Sequence, residues 1–353
     1  MVPAICRNRS HRKSQFLLAR SCGPVRVLKS PRTRLFEKAE VMSGCYAVFH
    51  KQLGDLVLLQ PALAKLCQHH GAPVECMTRT GHGPLLQLMP GIRFRRGVPL
   101  AYRRHLYCFD PLNKSALRSM LAPSSIKKCV LPEKREMKWF HRPLFRELIV
   151  PELGDRYVAE YFWENTPVPA SEPFRPPRLD RPPDHWKPED FKEKAFILIN
   201  PTSGWRQKSW LPECWAQTLV ALRNDTGLEF VMTSASVDWQ VEHCREIEKK
   251  SGFLVRSLAS STTLKNFLWL CSRAKAVLTV DGAASHLARA FGVNSITLFG
   301  PTNSRNWHCA GDGSVAIQAP PSKDHVCRLR NLAPEDVLQV ARRIFNSATD
   351  GSG

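Results

Sequence analysis

Three short stretches carry the side chains that could do chemistry, and each directly follows a run that reads as a buried strand. The first, residues 200–210, reads Asn-Pro-Thr-Ser-Gly-Trp-Arg-Gln-Lys-Ser-Trp and sets the hydroxyls of Thr202 and Ser203 close to the cations Arg206 and Lys208. Hydroxyls and a cation beside free backbone N–H groups make a cradle for phosphate. A polar surface loop with solvated charges has the same composition, so this stretch alone identifies nothing. The second, Val280-Asp-Gly-Ala-Ala-Ser-His286, passes from a strand into a helix through small residues. Small side chains let backbone N–H groups and a helix N-terminus approach a pyrophosphate, and His286 in the first turn could add a hydrogen bond. Asp281 could equally be a helix cap. The third, Gln52-Leu-Gly54-Asp55, puts a carboxylate just past a strand. There it could serve as a general base, or simply cap a helix after a turn glycine.

The elements that must position these loops form an alternation. In the second half, strands are expected at 195–199, 228–233, 254–258, 276–280 and 295–299, with helices near 213–224, 238–250, 264–273 and 285–291 between them. Strands separated by helices pair in parallel through right-handed crossovers, so this half is expected to be an α/β, Rossmann-like domain. A last helix is expected over 334–345, with Pro334 in the first turn, where its missing N–H is tolerated. The first half begins the same way, with a strand at 45–50, a helix over 55–69 and a strand at 74–78, and continues less regularly with strands near 105–109 and 128–131. Prolines 167, 169, 173, 176, 177, 182, 183 and 188 exclude a regular helix or a central strand between the halves. The expected organisation is a basic, disordered extension over 1–42, an N-terminal domain over 43–165, a Pro-rich linker over 166–190, a C-terminal domain over 191–345 and a disordered tail over 346–353. All three chemical stretches then fall at carboxyl ends of parallel strands, the edge at which such sheets bind ligands.

A chain of 353 residues is long enough for two domains. Its formal charge of +20 points to an anionic partner: nucleic acid, acidic lipid headgroups, phosphorylated sugars or a nucleotide-sugar. No apolar run approaches the ~20 residues of a membrane-spanning helix. The twelve cysteines include no CxxC pair, and Cys76, Cys108 and Cys271 sit in apolar stretches, as reduced thiols of a cytoplasmic protein do. No His/Cys cluster has zinc-site spacing. The first forty residues are basic and lack the apolar core of a secretory signal; they are read as a transit-like segment or as sequence upstream of a true start at Met42.

Taken together and in order, three groups of residues resemble glycosyltransferase family 9, the ADP-heptose:lipopolysaccharide heptosyltransferases. They are Gly54-Asp55 followed by Gln60-Pro-Ala-Leu63, then Thr202-Ser203 with Lys208-Ser-Trp-Leu-Pro212, then Asp281 with Ser285-His286-Leu-Ala and Leu298-Phe-Gly-Pro-Thr302. The resemblance covers about residues 43–345 and is strongest over 195–307. It implies a GT-B fold, two facing Rossmann-like domains with parallel sheets and an interdomain cleft, and inverting sugar transfer without a bound metal or other cofactor. An Asp-X-Asp metal motif is accordingly missing from the sequence. By position, Asp55 resembles the family's general base and Lys208 the residue offsetting charge on the leaving nucleotide. Gly54, Thr202, Ser203, Lys208, Asp238, Asp281, Gly282, Ala283 and His286 resemble its donor-binding set. The chain departs from the family's usual Asp-Thr-Gly or Asp-Ser-Gly with Asp281-Gly-Ala283, which leaves the donor open.

The implied acceptor is an anionic glycolipid or lipopolysaccharide core, met peripherally at the cytoplasmic face of the inner membrane, with Arg95, Arg96, Arg103 and Arg104 as candidate acceptor-binding residues. Rival readings are a donor-binding but inactive homologue, a nucleotide-sugar epimerase of similar fold, and, in a different class, a nucleic-acid-binding protein. The last has the charge but no helix-turn-helix, zinc-finger or RNA-recognition signature.

Overall fold

The computed structural model describes residues 44–96, 105–110, 114, 126–131, 139–150, 152–192, 194–311, 313–322 and 324–350. The N-terminal extension over 1–42, Arg103 and Arg104 lie outside the described residues. The central strands of each sheet are apolar runs rather than alternations: Cys45–Val48 reads CYAV and Ala276–Val280 reads AVLTV, every residue buried. Parallel strands covered by helices on both faces require that pattern.

The N-terminal domain runs β1 (Cys45–Val48), α1 (Leu53–His70), β2 (Val74–Met77), α2 (Gly83–Gln87), β3 (Ile92–Phe94), β4 (His105–Cys108), β5 (Ile126–Val130), β6 (Glu147–Ile149) and α3 (Val158–Asn165). The C-terminal domain runs β7 (Phe196–Asn200), α4 (Pro212–Thr226), β8 (Glu229–Met232), α5 (Asp238–Lys250), β9 (Val255–Ser257), α6 (Leu264–Arg273), β10 (Ala276–Val280), α7 (Ala283–Phe291), β11 (Asn294–Phe299), α8 (Ser304–Trp307), β12 (Ser314–Gln318) and α9 (Pro334–Asp350). The two six-stranded sheets have the orders β3-β2-β1-β4-β5-β6 and β12-β11-β10-β7-β8-β9, parallel throughout. Each is therefore doubly wound, and the winding reverses between β1 and β4 in one domain and between β7 and β10 in the other. Ligands bind outside the carboxyl ends of strands at such switch points.

Two features differ from expectation. The last helix continues to Asp350, into the stretch expected to be a disordered tail. Three short edge strands, β3, β6 and β12, were not anticipated: they are three to five residues long and carry polar or charged residues such as Arg93, Glu147 and Gln318, so no apolar run announces them.

The Pro-rich linker carries no strand and no helix beyond one 3-10 turn at Asp184–Trp186. It straps the domains together, with Asp180 N–H donating to the Leu88 carbonyl at 2.8 Å and Leu179 N–H to the Ala290 carbonyl at 3.2 Å. One apolar cluster crosses the boundary, joining Phe49, Leu56 and Leu63 to Trp269, Ala284 and Leu287.

Candidate functional site

The site forms where the N-terminal turns of α1 and α7 meet. Asp55 is the third residue of α1, and its Oδ2 accepts the Gln52 backbone N–H at 3.2 Å. It therefore caps its helix and still presents a carboxylate to the domain boundary. Gly54 makes the approach possible: a Cβ there would lie 2.9 Å from Cδ2 of His286 and 3.3 Å from the Ala283 Cα. Its role is clearance between the domains.

Across the boundary, Lys208 Nζ lies 2.5 Å from Asp281 Oδ2. Thr302 donates its hydroxyl to the same oxygen at 2.6 Å. The Lys208 ammonium also sits 4.8 Å from the centroid of the Trp205 ring, a cation–π contact. Burial pushes the Asp55 carboxyl up from its ordinary range; Asp281 adds to the rise, while Lys51, the Gln52 N–H and Lys208 oppose it. Asp55, Lys208 and Asp281 thus belong to one electrostatic cluster drawn from both domains. A carboxylate raised by desolvation is a better proton acceptor, the property a general base requires. His286 is buried, and burial takes its imidazole down to about 4, with Lys208 and His308 adding to the fall and Asp281 opposing it. At neutral pH it is an uncharged imidazole with one donor and one acceptor nitrogen.

The loop after β7 lies against the turn after β10. A Cβ on Gly282 would come 3.2 Å from the Ser203 Cβ, so these loops interdigitate. Thr202 is buried and donates to Gln240 Oε1 at 2.9 Å, while Ser203 stays half-exposed.

The other proposed residues lie apart from this cluster. Asp238 opens α5 and, with Ser236, Trp239, Arg245 and Ser260, lines a cavity of about 580 Å³ beyond the ends of β8 and β9. The Arg95 guanidinium is engaged within its own sheet, ion-paired with Glu75 and 5.3 Å from the Tyr46 ring, and its side chain stays partly exposed. Arg96 is exposed past the end of β3. Among the described residues, no group of three or more His, Cys, Asp or Glu side chains could hold a metal ion.

Two side chains that hold the site together were not singled out from sequence. Thr302 lay inside the Leu298–Thr302 motif without a role. Gln240 had a usable signal: it is a polar residue on the buried stripe of α5 shared with Cys244 and Ile247.

Two doubly wound domains whose carboxyl edges meet at a shared polar cluster define a GT-B protein. The profile of glycosyltransferase family 9 (heptosyltransferase) matches residues 155–333, about half of the chain, and the chain belongs to that family. It is 26% identical to lipopolysaccharide heptosyltransferase 1 of Escherichia coli K12 over 188 residues, 53% of this chain and 48% of that protein. The chain thus spans about half the length of the curated relatives it matches. In structure it is similar to E. coli ADP-heptose lps heptosyltransferase II, with a TM-score of 0.71 at 17% identity, covering 87% of this chain and 99% of that one. It is also similar to an E. coli heptosyltransferase solved with ADP, with a TM-score of 0.67 at 16% identity, covering 85% and 99% of the two chains.

Proposed function

We propose that this chain is an inverting glycosyltransferase that moves heptose from ADP-heptose to a hydroxyl of a lipopolysaccharide core or related glycolipid. The observation that carries the reading is the convergence of Asp55 from one domain with Lys208, Asp281 and His286 from the other. Asp55 takes the proton of the acceptor hydroxyl as its oxygen attacks the anomeric carbon. The bond from that carbon to the diphosphate oxygen breaks, and the nucleoside diphosphate leaves. Lys208, the Ser203 hydroxyl and the N-terminal turn of α7 stabilise the charge that develops on it. These groups supply the positive potential without a metal ion, and the donor is the only small molecule the reaction needs.

ADP-heptose as donor is supported by relatives solved with ADP and with ADP-2-deoxy-2-fluoro heptose. The net charge of +20 supports a phosphorylated acceptor and peripheral contact with the cytoplasmic face of an anionic membrane. No helix among the described residues is long and apolar enough to cross one.

The test is a transfer assay with ADP-heptose and truncated lipopolysaccharide acceptor, following ADP release and the anomeric configuration of the product by NMR. Turnover with inversion, lost in Asp55→Asn and Lys208→Ala, supports the reading. Release of ADP no faster than in Asp55→Asn would overturn it.

A further inference from the structure

We propose that Gln240 is a positioning residue that sorts the two adjacent hydroxyls of the loop after β7, holding Thr202 back and leaving Ser203 to bond the donor diphosphate. This rests on the reading of the β7–β10 edge as a diphosphate site and names the hydroxyl that serves it.

Gln240 projects from the buried stripe of α5 into the space between two loops. Its Oε1 accepts the Thr202 hydroxyl at 2.9 Å and the Ala235 N–H at 3.2 Å, and its Nε2 donates to the Ser203 carbonyl at 2.9 Å. One amide thus ties the loop after β7 to the loop after β8 and fixes the backbone on either side of the Thr202–Ser203 peptide. A hydroxyl has one proton, and that of Thr202 is given to Gln240. Phosphate oxygens only accept, so Thr202 cannot donate to a diphosphate while this bond stands. The Ser203 hydroxyl oxygen accepts the Trp205 N–H at 3.5 Å, which leaves its proton for a ligand.

Gly282 completes the arrangement. Its φ of 179° is ordinary extended backbone, so glycine is not needed there for conformation. It is needed for room, since a Cβ would crowd the Ser203 Cβ at 3.2 Å. The space in which residue 282 would carry a side chain is taken by Ser203.

The experiment is calorimetric titration of the full chain with ADP, GDP and UDP, for wild type, Ser203→Ala, Gln240→Met and the double variant, with melting curves to establish that each is folded. For the diphosphate that wild type binds most tightly, Ser203→Ala is expected to weaken binding roughly tenfold, as loss of a hydrogen bond to a charged group does. Gln240→Met is expected to weaken it by a similar factor, and the double variant little further, because both changes remove the same bond. Multiplication of the two losses, to roughly a hundredfold, would overturn the assignment of Gln240. Unchanged affinity in Ser203→Ala would overturn that of Ser203. Should Gln240→Met fail to fold, Gly282→Ala provides the second probe: it should weaken binding in the wild-type background and much less in Ser203→Gly, and equal losses in both would overturn the Ser203–Gly282 coupling. Failure of wild type to bind any of the three diphosphates would overturn the donor-site reading and this inference with it, an outcome distinct from one confined to the variants.

Discussion

Replacing Lys208 with Met is expected to destabilise the chain about three times as much as replacing Asp281 with Asn, because the two ends of their ion pair are unequally buried. The Lys208 side chain keeps 15% of its surface exposed and that of Asp281 only 3%, with 2.5 Å between Nζ and Oδ2. In Lys208→Met the carboxylate remains sealed from water with the Thr302 hydroxyl as its remaining partner, at 2.6 Å. Removing one member of a buried pair costs ~3–5 kcal/mol, and the surviving Thr302 bond places this case near the lower figure, about 3 kcal/mol. In Asp281→Asn the amide oxygen still accepts from Thr302, and the ammonium can turn to solvent, so the loss is about 1 kcal/mol. The double variant strands no charge and should lie between the two single variants, at about 2 kcal/mol. Guanidinium denaturation followed by tryptophan fluorescence reads this directly, since Trp210 and Trp215 are fully buried in the same domain. Equal destabilisation by the two single changes, or a double variant equal to their sum, would refute the reasoning.

Gly54→Ala should cost only ~1 kcal/mol of stability, as ~2 kcal/mol of overpacking against the buried His286 ring and the Ala283 backbone is partly offset by ~1 kcal/mol of helix propensity. It should nevertheless lower turnover on the order of tenfold or more by wedging α1 from His286 and Ala283; steady-state kinetics beside a melting curve separates the two effects. Asp55→Asn should abolish transfer and raise the melting temperature at neutral pH. The folded-state pKa of Asp55 is raised above 3.8, so its contribution is fully present below that value and is lost as pH rises through the shifted pKa; an unchanged or lower melting temperature would count against the desolvation. His286 and His105 are both depressed from 6.5 to about 4 by burial, so their stabilising contribution is present above pH 6.5 and is lost as pH falls toward 4. For the fully buried His286 that is roughly 3 kcal/mol, with His105 contributing less because solvent screens it, and His286→Gln should flatten the fall in stability across that window in denaturation curves.

The second domain was legible from sequence because its central strands are unbroken apolar runs and its helices carry sharp boundaries, such as Pro212 at the first turn of α4. The first domain was read less completely because β3 and β6 have three residues each and carry their polar side chains at a sheet edge. At the site, the order of motifs pointed to Asp55, Lys208, Asp281 and His286, which the fold brings together. The partners were not legible. Nothing local to Thr302 says that it will reach Asp281, 21 residues earlier, or that Gln240 will bond Thr202, 38 residues before it. Those contacts depend on which strands become neighbours, and the neighbours of β7 and β10 are set by the winding reversal. Arg95 shows the same limit, for charge density along the chain does not reveal that its guanidinium pairs with Glu75 on the neighbouring strand.

Because the candidate base and the donor-side cation belong to different domains, their separation depends on how the domains are held. Domain pairs with small polar interfaces move freely by default. Here the boundary is an apolar seam, with Leu56 of α1 and Leu287 of α7 in the same buried cluster. It is reinforced in the segment that follows Thr302, where Asn306 donates to the carbonyls of Gly154 and Arg156 at 2.7 and 2.9 Å. Arg305 and Asn303 each reach Asp155 there at 3.0 Å. The exposed Arg305–Asp155 pair contributes little, whereas the buried Asn306 amide makes two hydrogen bonds across the boundary that opening would break. Opening therefore breaks both the apolar seam and this polar contact, which favours a single register between α1 and α7. A fixed register is what lets a glycine at position 54 matter, since clearance for one missing methyl group has meaning only between surfaces that return to the same place.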